Sequence, residues 1–262
     1  MSFEICALAS GSRGNAVLIR TKGGNLLIDA GLSAGELNRR MALSGLPRPD
    51  AVLFTHTHID HIRGARALAE KGLSLRVFEG DLPFFRELGC PEDCLSPFGE
   101  APFLLGGLEI RPVPVPHDTP ACHGFVISDG RERAAYFTDL GRVTEEVRSA
   151  VRGCRTLFLE SNHDPELLKN GPYPYPLKRR ILSERGHLSN REAALLCRYA
   201  AEHGTREIML GHLSAENNLP ELCFCTCEAA LREAGLDEGR DFTLSVACQD
   251  RAVEMSCLSP AL

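Results

Sequence analysis

The chain has 262 residues, 44% hydrophobic and 24% charged, with a formal net charge of −6. These proportions allow a substantial buried core and exclude a disordered or fibrous chain. The longest apolar runs, 51–54 and 156–159, are strand-sized and far short of the roughly 20 residues of a membrane-spanning helix, so no membrane span is expected.

The chain opens with Glu4 ahead of a short apolar run and lacks the basic region that begins a secretory signal, the pattern of a cytoplasmic protein. The eleven cysteines are odd in number and scattered through apolar segments, as expected of free thiols in a reducing compartment. An acidic balance argues against wholesale electrostatic binding of nucleic acid but leaves room for a local basic groove.

In chain order, β-like runs bounded by turn residues occur at 4–8, 16–20, 25–29, 51–55, 75–78 and 108–115. Helical spacing of Leu37, Met41 and Ala42 predicts a helix over 35–44, and a similar pattern predicts one over 63–71. The second half repeats the plan, with strands at 124–128, 134–138, 156–160, 207–210 and 243–246 and helices at 177–183, 190–203 and 220–234. The Pro-rich turn 171–176 is too short to divide domains, and no linker or repeat interrupts the chain. One domain over 1–262, with two sheets and outer helices, is the economical reading.

The chemistry concentrates in Thr55-His56-Thr57-His58-Ile59-Asp60-His61, where four ligand-type side chains fall within six residues at the end of an apolar strand. Imidazole nitrogens and carboxylate oxygens suit zinc and similar ions, and a strand-end loop can converge them. Polar loop residues without metal are the plainer alternative. Four more candidates stand where a strand gives way to a loop: Asp29, His117, Asp139 and His212. Taken alone, Asp29 and Asp139 read as strand-end turn residues.

This HxHxDH run and the ordered downstream stations resemble the metallo-β-lactamase superfamily. The resemblance implies an α/β fold, the αββα sandwich of two mixed sheets packed face to face with helices outside. It also implies two divalent ions, zinc foremost, with manganese or iron accepted by the same ligand types. His56, His58 and His117 would hold one ion, Asp60, His61 and His212 the other, and Asp139 would bridge them. Asp29 would accept the outer ring N–H of a ligating histidine. Two ions about 3.5 to 4 Å apart can activate a bridging hydroxide and stabilise both oxygens of a displacement at phosphorus. Histidine at position 58 fits the hydrolytic pattern of the family rather than its oxygen-reducing di-iron branch.

Within the superfamily the chain is most similar to the single-domain WalJ/YycJ-type proteins, linked to 5′ exonuclease activity on DNA. Four motifs carry this likeness: Ala9-Ser10-Gly11-Ser12-Arg13-Gly14-Asn15, Glu160-Ser161-Asn162-His163-Asp164, Leu177-Lys178-Arg179-Arg180-Ile181 leading to Gly186-His187-Leu188-Ser189-Asn190, and the run from Leu210 to Asn218. Ser10, Gly11, Ser12 and Asn15 read either as a plain turn or as a wall of the site whose glycine lets the backbone approach a phosphate. Ser189 and Asn190 read as helix caps, and the resemblance adds a helix N-terminus facing phosphate. Asp60, His187 and Glu160 are the catalytic candidates, with His187 paired to Glu160 and protonating the leaving oxygen.

Lys178 and Arg179, with Arg180, Arg185 and Arg191, form the densest basic neighbourhood, read either as a solvated helix face or as a groove tracking phosphates. His123 departs from the small or apolar residue expected there and has no assigned role. His163, His203 and the cysteine clusters 90/94 and 223/225/227 are not expected to bind metal. The interval between Asp139 and Glu160 is too short for an inserted cap domain, which implies an open site. An open site suits a strand end and a small phosphodiester alike, and it is the resemblance that implies nucleic acid, DNA before RNA, as the substrate, cleaved from 5′ to 3′. A cyclic small-molecule phosphodiester and a non-catalytic metal-binding module are the alternatives.

Overall fold

A computed structural model of the chain describes residues 3–257. One seven-stranded sheet contains β1 (Glu4–Ala9), β2 (Ala16–Thr21), β3 (Gly24–Ile28), β4 (Ala51–Leu53), β5 (Ser74–Phe78) and β6 (Leu95–Phe98), with β14 (Val253–Glu254) outside β1. The other contains β7 (Phe103–Leu105), β8 (Leu108–Pro114), β9 (His123–Ser128), β10 (Arg133–Phe137), β11 (Thr156–Glu160), β12 (Glu207–Gly211) and β13 (Thr243–Val246). Both are mixed: β1 to β3 and β7 to β10 pair antiparallel, whereas β3 to β6 and β10 to β13 run parallel.

Strand side chains alternate between two faces, and both faces are apolar here because each sheet is covered twice. Ile5, Val17, Ile19, Leu26 and Ile28 point into the layer between the sheets, where they meet Ile110, Phe125, Ile127, Tyr136, Phe158 and Met209. Their neighbours Cys6, Leu8, Leu18 and Leu27 point outward onto Leu37 and Met41 of α1 (Ala34–Leu43) and onto the segment around Leu68. The second sheet's outer face packs α5 (Glu145–Val151), α8 (Asn190–Glu202) and α9 (Pro220–Glu233) through Val147, Leu196, Cys197, Cys223 and Leu231. The result is the helix–sheet–sheet–helix sandwich expected from the alternating pattern.

Several elements differ from the sequence reading. The predicted strand 51–55 ends at Leu53, and the predicted helix 63–71 is replaced by a single turn, α2 (Ile59–Ile62), and a short α3 (Ala65–Ala69). The turn therefore begins inside the histidine run, so Asp60 and His61 are presented by helical backbone rather than by an open loop. Helices α4 (Leu82–Glu87), α6 (Pro165–Asn170), α5 and the short strands β6, β7 and β14 went unread. They are too short to display a period, and β6 contains Pro97, which is tolerated because β6 is the sheet edge.

Candidate metal centre

Strand ends build the site. Asp29 and His212 directly follow β3 and β12, Asp139 stands one residue further past β10, and the three are the non-glycine residues with left-handed backbone among the described residues, at φ of 60°, 54° and 57°. A left-handed residue costs free energy unless its surroundings hold it. Here the sharp turn holds each side chain at the strand end, over the seam between the sheets. His212 is held by its own amide, which donates to Ser10 Oγ at 2.7 Å.

Four overlapping groups have ligand atoms within 4.8 Å of one another: His56/His58/His117, Asp60/His61/His212, His56/His61/Asp139, and Asp139/Glu160/His187/His212. Buried polar atoms ordinarily have partners, yet His56 Nε2 and Asp139 Oδ2 are buried without a hydrogen bond. The ring tautomers explain why. His61 Nδ1 donates to Asp29 Oδ2 at 2.7 Å, His117 Nδ1 to the Gly186 carbonyl at 3.2 Å, and His212 Nδ1 to Glu160 Oε1 at 3.0 Å. His56 Nδ1 lies 2.9 Å from Thr55 Oγ1, which in turn donates to Asp29. In each ring the outward Nδ1 carries a proton, so Nε2 faces inward and supplies its lone pair once any proton on it is displaced, the arrangement metal-binding imidazoles adopt.

His58 is reversed. Its Nδ1 lies 3.3 Å from His117 Nε2 and its Nε2 lies 3.7 Å from Asp118 Oδ1. At that separation the two nitrogens can share one proton as a hydrogen bond or one cation as ligands. The donor set thus fits divalent ions on chemistry alone.

Charge supports this. Burial by itself would raise Asp139, but His212 and His61 outweigh it and hold the carboxyl well below the usual range. Burial likewise opposes protonation of His212, and Asp139, Asp60 and Glu160 overcome it and push the ring up to about 10. A divalent cation on the same atoms would take over the charge those protons carry, so its binding releases protons.

Beside this cluster stands a His–carboxylate pair. Glu160 is fully buried at the end of β11 and accepts from His187 Nδ1 at 2.7 Å, from His212 Nδ1, and from the amides of Leu140 and Leu188 at 3.1 and 3.2 Å. Burial would lower His187, but the charge and hydrogen bond of Glu160 raise it above an ordinary histidine. With Nδ1 engaged by Glu160 and 18% of its side chain exposed, His187 keeps its other nitrogen free for a substrate.

The structure sorts the remaining sequence candidates. Asn15 and Ser10 are buried inside the site rather than on its rim: Asn15 Nδ2 lies 3.1 Å from His61 Nε2 and 3.4 Å from Asp60 Oδ2. Gly11 donates to Asn15 Oδ1 at 2.9 Å, and Ser12 is exposed. Gly31 locks this loop to the metal run, since a Cβ there would fall 1.7 Å from the Asp60 carbonyl oxygen and 2.5 Å from Asn15 N. Ser189 caps α8 in a reciprocal pairing with Glu192. Asn190 is wholly buried, accepting from Ser161 and donating to Asn218, so its amide belongs to the scaffold.

The basic neighbourhood is partly spent on structure. Lys178 Nζ donates to the carbonyls of Lys169 and Gly171 at the end of α6, Arg180 pairs with Asp118, and Arg185 donates to the His117 and Thr119 carbonyls at 2.7 and 3.0 Å. Arg179 is exposed on α7 (Tyr175–Ile181). Sequence reasoning missed Thr55 and Asp118. The first opens the histidine run and the second follows His117, and adjacency to a ligand was the available signal. Among the described residues no metal-compatible group includes a cysteine. His203 Nδ1 donates to the Tyr199 carbonyl at 2.7 Å at the end of α8.

This sandwich and its His/Asp cluster define a metal-dependent hydrolase of the metallo-β-lactamase superfamily, to which the chain belongs: residues 24–213 match the family described as the beta-lactamase superfamily domain. Within that superfamily it is YycJ/WalJ-like. It is 32% identical over 252 residues to the exodeoxyribonuclease YycJ of Bacillus anthracis, covering 93% of this chain and 95% of that protein. It is 33% identical over 265 residues to the exodeoxyribonuclease WalJ of Streptococcus pneumoniae serotype 2 (strain D39), covering 98% of each. Among solved structures, the metallo-beta-lactamase fold protein YhfI from Bacillus subtilis superposes with a TM-score of 0.70 at 17% identity, over 96% of this chain and 99% of that one. The short form of human tRNase Z does so at 0.66 and 15%, over 97% and 100%. At such identities these two share the fold and nothing narrower. Among the described residues no helix is long and apolar enough to cross a membrane.

Proposed function

We propose that the chain is a two-metal phosphodiesterase that hydrolyses nucleic acid, acting on DNA as a 5′-to-3′ exonuclease. The observation that carries the reading is the placement of the His187–Glu160 pair against the seven-residue cluster, in a chain whose near full-length relatives are named exodeoxyribonucleases. In this reading His56, His58 and His117 hold one ion, Asp60, His61 and His212 the other, and Asp139 serves both. Ions held there supply charge that activates water and stabilises the attacking and leaving oxygens of a displacement at phosphorus.

The chain's own residues do the rest. Glu160 holds His187 by Nδ1 and favours its protonated form, which leaves Nε2–H as the proton donor to the leaving oxygen. Asp29 and Thr55 hold His61 and His56 in the tautomers that face inward. Asn15 and Ser10 support Asp60, His61 and the His212 turn rather than gripping substrate. Ser12 and Arg179, both exposed, remain the substrate contacts of this reading, whereas the buried Ser189 hydroxyl is taken by Glu192 in the cap of α8.

The test is degradation of 5′-labelled and 3′-labelled DNA and RNA, single-stranded and duplex, with added zinc or manganese, beside the Asp60→Ala variant. Mononucleotides released from the 5′ end of DNA by the intact protein alone are expected. Strands left intact under every metal would overturn the reading in favour of a small phosphodiester substrate.

A further inference from the structure

His123 has no role in the hydrolytic site, yet it is a buried imidazole, 4% exposed, whose Nδ1 has no hydrogen-bond partner. Such an atom loses its hydration on folding without a hydrogen bond in return, and because it is enclosed the ring's other nitrogen, Nε2, is the one a ligand in the cleft can meet. His123 lines a cleft of about 480 Å³ that starts at His117, within the range of small-ligand sites (about 300–1,000 Å³). The half-buried ring of Phe78 lines the same cleft, with its centroid 4.5 Å from that of His123, and Phe98 closes edge-on behind them at 5.9 Å.

Two guanidinium groups line the same cleft as this aromatic wall, together with the carboxylates of Glu100 and Glu184. Arg185 is fixed by the His117 and Thr119 carbonyls, and Arg142 is half exposed, with its Glu184 contact at 3.7 Å. Flat aromatic faces, an imidazole seeking a partner and cations at the rim are the chemistry that receives a nucleobase joined to phosphate. We infer that this cleft binds the base of the nucleotide next to the scissile phosphate, stacked on Phe78 and hydrogen-bonded to His123. The inference rests on the nucleic-acid reading above and deepens it.

The test compares deoxyadenosine 5′-monophosphate with deoxyribose 5-phosphate, titrated calorimetrically into the metal-loaded chain, the Phe78→Leu variant and the His123→Gln variant, each checked for native circular dichroism. Base stacking of ordinary strength predicts that the intact protein prefers the nucleotide by about tenfold. Phe78→Leu should remove most of that preference and His123→Gln part of it, with the sugar phosphate bound alike by all three. Equal binding of the two ligands by the intact protein, or a preference untouched in both variants, overturns the inference. Should Phe78→Leu fail to fold, His123→Gln decides alone. A base preference in a protein that degrades no strand keeps the cleft and removes the nuclease reading, whereas strand degradation without base preference does the reverse.

Discussion

Replacing Asp29 by Asn tests whether tautomer control, rather than charge alone, prepares the metal site. Asp29 is fully buried at φ 60°, a conformation Asn tolerates, and accepts from Thr55 N at 2.9 Å, from Thr55 Oγ1 at 2.9 and 3.1 Å, and from His61 Nδ1 at 2.7 Å. In Asp29→Asn the amide oxygen keeps the Thr55 contacts, but the amide NH2 meets His61 Nδ1 donor to donor. His61 relieves the clash by moving its proton to Nε2, the atom that faces Asp60 and Asp139 at 3.5 and 3.2 Å. A protonated nitrogen cannot ligate. Loss of such outer support typically costs about 10–100-fold in metal affinity, equivalent to about 1.4–2.8 kcal/mol. Metal-free stability should change by less than about 1 kcal/mol because most contacts survive. Zinc competition against a chromophoric chelator reads the affinity, with Asp29→Ala as the comparison, in which the buried Thr55 amide also loses its partner and folding suffers. Undiminished zinc affinity in a folded Asp29→Asn protein would refute the tautomer argument.

His187→Gln should keep its metal content and lose about 10²–10⁴ in kcat, the usual contribution of a general acid. Because Glu160 raises His187, activity of the intact protein should fall as pH rises through that elevated value, and a pH–rate profile of the variant should lack this limb. Metal affinity should weaken as pH falls, since ions compete with protons on His61 and His212, and chelator competition at several pH values measures it. Asp81 is pushed up to about 6 by burial. Its ionised form is therefore disfavoured in the fold, a penalty absent below the unfolded value near 4 and complete above 6, so Asp81→Asn should raise Tm at pH 8 and leave it unchanged at pH 4. Gly31→Ala, whose methyl would collide with the Asp60 carbonyl, should cost on the order of 3 kcal/mol in urea denaturation and reduce metal affinity with it.

The sequence by itself determined the sandwich and the identity of the cluster. A short continuous apolar run bounded by turn residues marks strands such as 16–20 because both faces of the sheet are covered, and an HxHxDH run is visible because its members are neighbours in the chain. Asp29, His117, Asp139 and His212 were legible as polar residues closing apolar strands. Tertiary structure decided what local sequence cannot encode: which ring nitrogen faces inward, that Thr55 relays between Asp29 and His56, and that Asp118 stands beside His58 and His117. It also withdrew Lys178 and Asn190 from the expected substrate surface, because a charge run shows that cations are present but not which carbonyls or amides they satisfy. His123 carries the same lesson. A lone histidine has no local signal, and its meaning arises only where β9 brings it against Phe78 of the opposite sheet, across a seam that joins residues far apart in the chain.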